Sequence, residues 1–141
     1  MRRLLHSLIS LVMLHVGSAI IGAAHVMRLF SLRKKGFAPA CIVDVGANHG
    51  DWTAKASRVW PNASFFLVEP NPNLAGALQR TGRSFATALV GDRNANVTMW
   101  MAKPKAGRAH KGSSVFVEAG SPSNFVPTPM PMVRLDDLLH R

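Results

Sequence analysis

Between Cys41 and Asp92 the chain sets acidic residues where a small charged ligand could be held. The stretch Asp44-Val45-Gly46-Ala47-Asn48-His49-Gly50 places a carboxylate just ahead of a turn bounded by two glycines. Lacking a Cβ, Gly46 lets backbone approach a ligand closely, and Gly50 permits tight packing of a following helix on a strand. Amides at the start of such a helix favour an anion, such as a ligand carboxylate. A dinucleotide does not suit this turn. Wrapping a pyrophosphate takes Gly-x-Gly-x-x-Gly, whereas the spacing here is Gly-x-x-x-Gly with Asn at position 48. An acid at the mouth of the turn also suits an ammonium group better than a phosphate. Glu69 follows 23 residues after Gly46, and a carboxylate there can accept both hydroxyls of a ribose. A ligand with an amino acid at one end and a ribose at the other satisfies both positions, and S-adenosylmethionine is such a molecule.

The elements that must position these residues are readable in the surrounding pattern. Cys41-Ile42-Val43-Asp44-Val45, between Pro39 and Gly46, is a compact β-branched run that predicts a buried strand. Gly50 to Trp60 has Trp52, Ala56, Val59 and Trp60 near one helical face, with Asp51 in the first turn, where negative charge is favoured. Ser64 to Val68 predicts a second buried strand closed by Glu69-Pro70. Asn71-Pro72 reads as an N-cap and first helical position, and the helix runs through Leu74, Ala77 and Leu78 to Gly82. Phe85 to Val90 predicts a third strand, and Gly91 to Asn94 a turn. Strands without polar alternation, separated by short helices, imply a parallel sheet covered on both faces, in an α/β fold. Val97 to Ala102 is a further strand candidate, antiparallel after the tight turn, and Ser114 to Glu118 another. Gly120 to Pro131 holds four prolines and reads as irregular, while Met132 to Leu135 reads as a short strand with Asp136 capping a last turn.

Composition narrows the function. At 141 residues the chain is one domain at most, and 17 basic residues against 7 acidic give a net charge of +10. That charge would suit nucleic acid or an anionic membrane. The basic residues bracket an apolar stretch (Arg2, Arg3, then Arg28, Arg33, Lys34, Lys35) or sit in a loop (Lys103, Lys105, Arg108, Lys111), and no basic face interleaved with aromatics appears, which argues against nucleic acid. The single Cys41 excludes an internal disulfide. His6 and His15 lack acidic or thiolate companions, so no metal site is expected.

Four motifs together resemble the FkbM-type methyltransferases: Asp44-Val-Gly-Ala-Asn-His-Gly-Asp51, Phe66-Leu-Val-Glu-Pro-Asn-Pro72, Ala88-Leu-Val-Gly-Asp92 and Val133-Arg-Leu-Asp-Asp-Leu138. The resemblance spans about 37 to 139. It implies a class I Rossmann-like fold with parallel strands in the order 3-2-1 plus an antiparallel extension. It also implies methyl transfer from S-adenosylmethionine to a hydroxyl of a small molecule or sugar. By position, Asp44 and the Gly46-Ala47-Asn48 backbone with Gly50 would hold the methionine end. Glu69, flanked by Asn71, would hold the ribose, and Asp92 would reach the adenine amino group. No catalytic base is assigned. Plainer roles stay open: Asp44 and Asp51 could complement a helix N-terminus, Glu69 could be a solvated strand-end acid, and Asp92 could serve its turn.

Two expectations concern the ends. Residues 1–36 form an apolar segment with basic flanks ahead of a methyltransferase domain over 37–141. The uncharged stretch Leu4 to Met27 is long enough to span a bilayer, or to lie on it by an apolar stripe. A cleaved signal peptide is a third reading. The basic excess after the stretch puts the domain in the cytoplasm. In the family a Leu-Asp-Asp segment precedes strand four, so ending at Arg141 predicts a truncated fold whose first strand is an exposed apolar edge. An inactive membrane-associated remnant, or half of an assembly completed by a second chain, are the alternatives to an enzyme.

Overall fold

A computed structural model describes residues 24–103 and 124–140. The described residues fall into two compact units. One takes those up to Ile42 together with Asp51–Phe65, and the other takes Val43–Gly50 with those from Phe66 onward.

The first unit opens with a helix, α1, over 24–34. The helix continues through Arg28, Arg33 and Lys34, so the basic residues expected as a flank are themselves helical. Residues 4–23 lie outside the described residues, and among the described residues no helix is long and apolar enough to cross a membrane. The unit then holds the start of β1 (Cys41–Val45), the helix α2 (Asp51–Val59) and the start of β2 (Ser64–Glu69). The predicted apolar face of α2 is only partly right. Thr53, Ala56 and Val59 are buried, with Trp60 just beyond the helix, while Trp52 is exposed. The Arg33 guanidinium donates to the Val59 carbonyl at the end of α2 (2.7 Å), where a cation complements the exposed carbonyls. The Trp60 indole N–H donates to the Phe37 carbonyl (2.9 Å), and the two rings meet edge to face at 5.7 Å. These contacts fix the 35–40 turn to the C-terminal end of α2.

The second unit holds the site. Strands β1, β2 and β3 (Ser84–Thr87) form the parallel sheet that the pattern predicted, in the order β1-β2-β3 that the family resemblance implied. The β2–β3 register sets Leu67 opposite Phe85 and Glu69 opposite Thr87. Between β1 and β2, Ser64 N–H donates to Ala40 O (2.9 Å) and Gly46 N–H to Val68 O (2.8 Å). In a parallel ladder those two bonds align Asp44 with Leu67. The turn Pro72–Leu74 and α3 (Ala75–Gln79) cross between β2 and β3, and Leu67, Val68, Leu74 and Leu78 form the core of this unit. Asn71 caps the turn as expected, its side-chain oxygen accepting from Asn73 N–H (3.0 Å). Among the described residues β1 has one neighbour and stands at the sheet's edge, with Val45 50% exposed.

The remaining chain differs from expectation. The single strand predicted over 85–90 breaks at Ala88. Its continuation, β4 (Leu89–Gly91), joins a second sheet in the order β4-β6-β5, where β5 is Ala95–Ala102 and β6 is Phe125–Arg134. β5 and β6 are antiparallel, whereas β4 and β6 are parallel. β6 also overturns the irregular reading over 125–131, since it runs as strand through Pro127, Pro129 and Pro131, while 120–123 lie outside the described residues. The spacing explains how. Alternate residues of a strand point their N–H groups at the same edge, so one edge carries all three missing donors. The ladder to β5 then rests on the donors of Val126, Thr128, Met130 and Met132, paired with Met101, Met99, Val97 and Ala95. β4 engages β6 only from Met132 on, past the prolines. The strand expected over 114–118 lies outside the described residues. A last helix, α4 (Leu135–Leu139), follows, capped without a side-chain bond, although Asp136 and Asp137 lie in its first turn.

Candidate functional site

The loop from Gly46 to Gly50 is shaped by three left-handed residues: Gly46 (φ 79°), Asn48 (φ 52°) and Gly50 (φ 84°). Asn is among the few side chains that tolerate this region, and the two glycines carry no Cβ penalty there. The reversals turn the loop's own donors inward. Gly46 and Ala47 N–H both donate to Val68 O (2.8 and 3.1 Å), and Gly50 N–H donates to Ala47 O (2.8 Å). Asn48 N–H donates to Glu69 Oε2 (2.9 Å), and His49 N–H to Asn48 Oδ1 (3.0 Å), which the His49 ring also meets through Nδ1. Each amide from 46 to 50 is therefore committed within the protein. The sequence suggested that amides of this turn would hold a ligand anion. The observed loop instead offers carbonyls, carboxylates and open space.

Glu69 is the hub. The residue is 7% exposed, and its carboxylate accepts from two loops at once: Asn48 N–H on Oε2 and Asn71 N–H on Oε1 (3.0 Å). Reading it as a solvated strand-end acid does not fit this burial. A carboxylate has about four acceptor positions, so two remain after these bonds. The bridge ties the β1 turn to the β2 turn.

Asp44 and Glu69 lie on one face of the sheet. Asp44 aligns with Leu67, aligned residues of a parallel pair point the same way, and Glu69 is two residues beyond Leu67. Strand spacing and rise put their Cα atoms roughly 8 Å apart. In front of Gly46 an added Cβ would meet nothing within 4 Å, so the backbone there faces open space. Gly50 is the opposite case. A Cβ there would lie 2.9 Å from the Thr81 methyl and 3.6 Å from Leu67, so the loop packs directly on the layer beneath. That confirms close packing as the use of Gly50. It also adds Thr81, whose hydroxyl donates to Leu78 O (2.6 Å), as a support that no motif signalled.

The predicted residues thus separate. Gly46, Ala47, Asn48, Gly50, Glu69 and Asn71 form one hydrogen-bonded cluster, and Asp44 stands on the Glu69 face of β1. Asp92 lies outside the cluster. It follows β4 in the second sheet, pairs with Arg93 (3.1 Å), and its side chain is 77% exposed. No group of metal-binding side chains occurs among the described residues.

A three-stranded parallel sheet with flanking helices is consistent with the topology of the Rossmann-like methyltransferases. The chain belongs to the FkbM methyltransferase family: the profile of the methyltransferase FkbM domain matches residues 44–141. Membership implies S-adenosylmethionine as the family's methyl donor. No curated protein and no solved structure matches the chain.

Proposed function

We propose that this chain binds S-adenosylmethionine across the tips of β1 and β2 and serves O-methylation of a small-molecule or sugar hydroxyl. The observation that carries the reading is the buried Glu69 carboxylate, held by one amide from each loop and sharing a face with Asp44. In this reading Asp44 accepts from the ligand ammonium, and the remaining lone pairs of Glu69 accept from the ribose hydroxyls. The open space before Gly46 admits the ligand chain between them. When bound, the cofactor supplies a sulfonium methyl for in-line displacement by an acceptor oxygen. The protein's contribution is to orient it and to keep both grips rigid, so that little reorganisation is left for the reaction. Because the loop amides are internally satisfied, selection favours the ammonium and ribose over a phosphate.

Isothermal titration of the full chain with S-adenosylmethionine tests this directly. Saturable heat is expected, and silence at millimolar protein and ligand overturns the reading. Glu69→Ala leaves the Asn48 and Asn71 amides without their acceptor, which costs about 2–4 kcal/mol of stability and removes binding. Gly46→Ala separates the two effects. It costs only about 1–2 kcal/mol through its left-handed φ, yet places a methyl in the ligand's space. A folded Gly46→Ala protein with undiminished affinity would contradict the assignment.

A second reading, a cofactor-binding chain without turnover of its own that works beside a second chain, is favoured by the exposed edge of β1 among the described residues. Transfer of labelled methyl to sugar acceptors distinguishes it: binding without transfer selects the second reading.

A further inference from the structure

We infer that the first unit carries a binding site for a small carboxylate with a flat apolar body, beside Arg33 at the C-terminal end of α2. A cavity of about 270 Å³ opens there, lined by residues of this unit alone. Its apolar walls include Pro39, Pro61 and the edge-to-face pair of Phe37 and Trp60. Sites for drug-sized ligands run from roughly 300 Å³ upward, so the occupant of this one is small, on the order of two fused rings.

The polar groups on the wall set the sign of the ligand. Arg33 uses one arm, Nη1, to hold the Val59 carbonyl (2.7 Å). Its Nε–Nη2 edge, whose two parallel N–H groups match a carboxylate, has no partner among the described residues. The Asn62 side chain, also on the wall, makes no hydrogen bond among the described residues either. Wall carbonyls that would attract a cation are already engaged. Val59 O accepts from Arg33, Phe37 O from the Trp60 indole (2.9 Å) and Trp60 O from Ala63 N–H (3.2 Å). The surrounding charge agrees. Lys34 and Lys35 follow Arg33, and Arg58 stands in the last turn of α2. Asp51, the single acid among this unit's described residues, sits at the other end of that helix. A free phosphate meets the charge but leaves the aromatic walls unused. A neutral hydrocarbon leaves the guanidinium edge without an acceptor. The site uses none of the residues assigned to S-adenosylmethionine and stands or falls without that reading.

The test is an NMR titration of the full chain that follows the Trp60 indole N–H, its signal assigned with Trp60→Phe. The probes are naphthoate and its neutral counterpart, naphthalenemethanol. Arg33 is exposed, so water screens the ion pair, and naphthoate should shift the signal saturably with a Kd of about a millimolar, roughly 5-fold tighter than the alcohol. Arg33→Gln should lose about that factor for naphthoate alone, while Arg58→Gln, which removes an equal charge outside the cavity, should stay within about twofold. No saturable shift with naphthoate overturns the site. Equal affinity for acid and alcohol reduces it to an apolar crevice and overturns the carboxylate assignment. Equal losses in the two variants trace the effect to net charge and overturn it as well. The comparison of the two probes is read on the unaltered protein, so the test stands even if Arg33→Gln does not fold.

Discussion

The two sheets of this molecule are stabilised in different ways. In β1-β2-β3, side chains carry the load: Leu67 and Val68 of β2, with Leu78 beneath them, are fully enclosed, and the buried Glu69 carboxylate closes the loops above. In β4-β6-β5 only Met99 is buried, and the strands are held by a long backbone ladder with polar clips at one end. Asn94 makes that clip, accepting from Arg134 N–H and donating to Asp137, both at 2.9 Å. The candidate site stands on the sheet with the enclosed side chains.

Substitutions can sharpen or break this contrast. The largest loss is expected from Leu67→Ala, about 3–5 kcal/mol, seen as a fall in Tm. Met99→Ala should cost less, because the site around it can relax into solvent; the reverse order would erase the distinction. Gly50→Ala comes next, at about 2 kcal/mol, since the new methyl meets both a left-handed φ and Thr81. It should also loosen the 46–50 loop, measurable as faster amide exchange at Asn48. Asn94→Ala should cost about 1 kcal/mol and fray the start of α4 without touching ligand affinity. Pro129→Thr should change stability by no more than about 0.5 kcal/mol, because position 129 makes no donor bond to β5.

Much of the first sheet was legible because its signals are local and agree. β-branched runs, glycine-bounded turns and an Asn-Pro start each point to the same alternation, whereas the shared face of Asp44 and Glu69 needed the β1–β2 register set by the Ser64–Ala40 and Gly46–Val68 bonds. The inward commitment of the 46–50 amides was not legible. It depends on the left-handed turn at Asn48, a dihedral that Asn tolerates but does not dictate. The place of Asp92 was not legible for a related reason: its motif continues a predicted strand, yet the strand breaks at Ala88, just after Ala88 N–H makes the last ladder bond to Glu69 O (3.2 Å), and the chain leaves for another sheet. β6 was hidden by its prolines, which in isolation argue against a strand and reveal their compatibility only once a partner selects one edge.

Those prolines have an effect beyond tolerance. Sheets recruit stray strands through rows of unpaired donors, and the rim of β6 away from β5 carries none at 127, 129 and 131. An incoming segment would find acceptors but no complement for its own carbonyls, so growth of the sheet in that direction is blocked at the level of the backbone, whatever side chains surround it. Refilling those positions with threonine should convert a closed border into a sticky one, visible as concentration-dependent aggregation of a protein whose melting temperature has hardly moved.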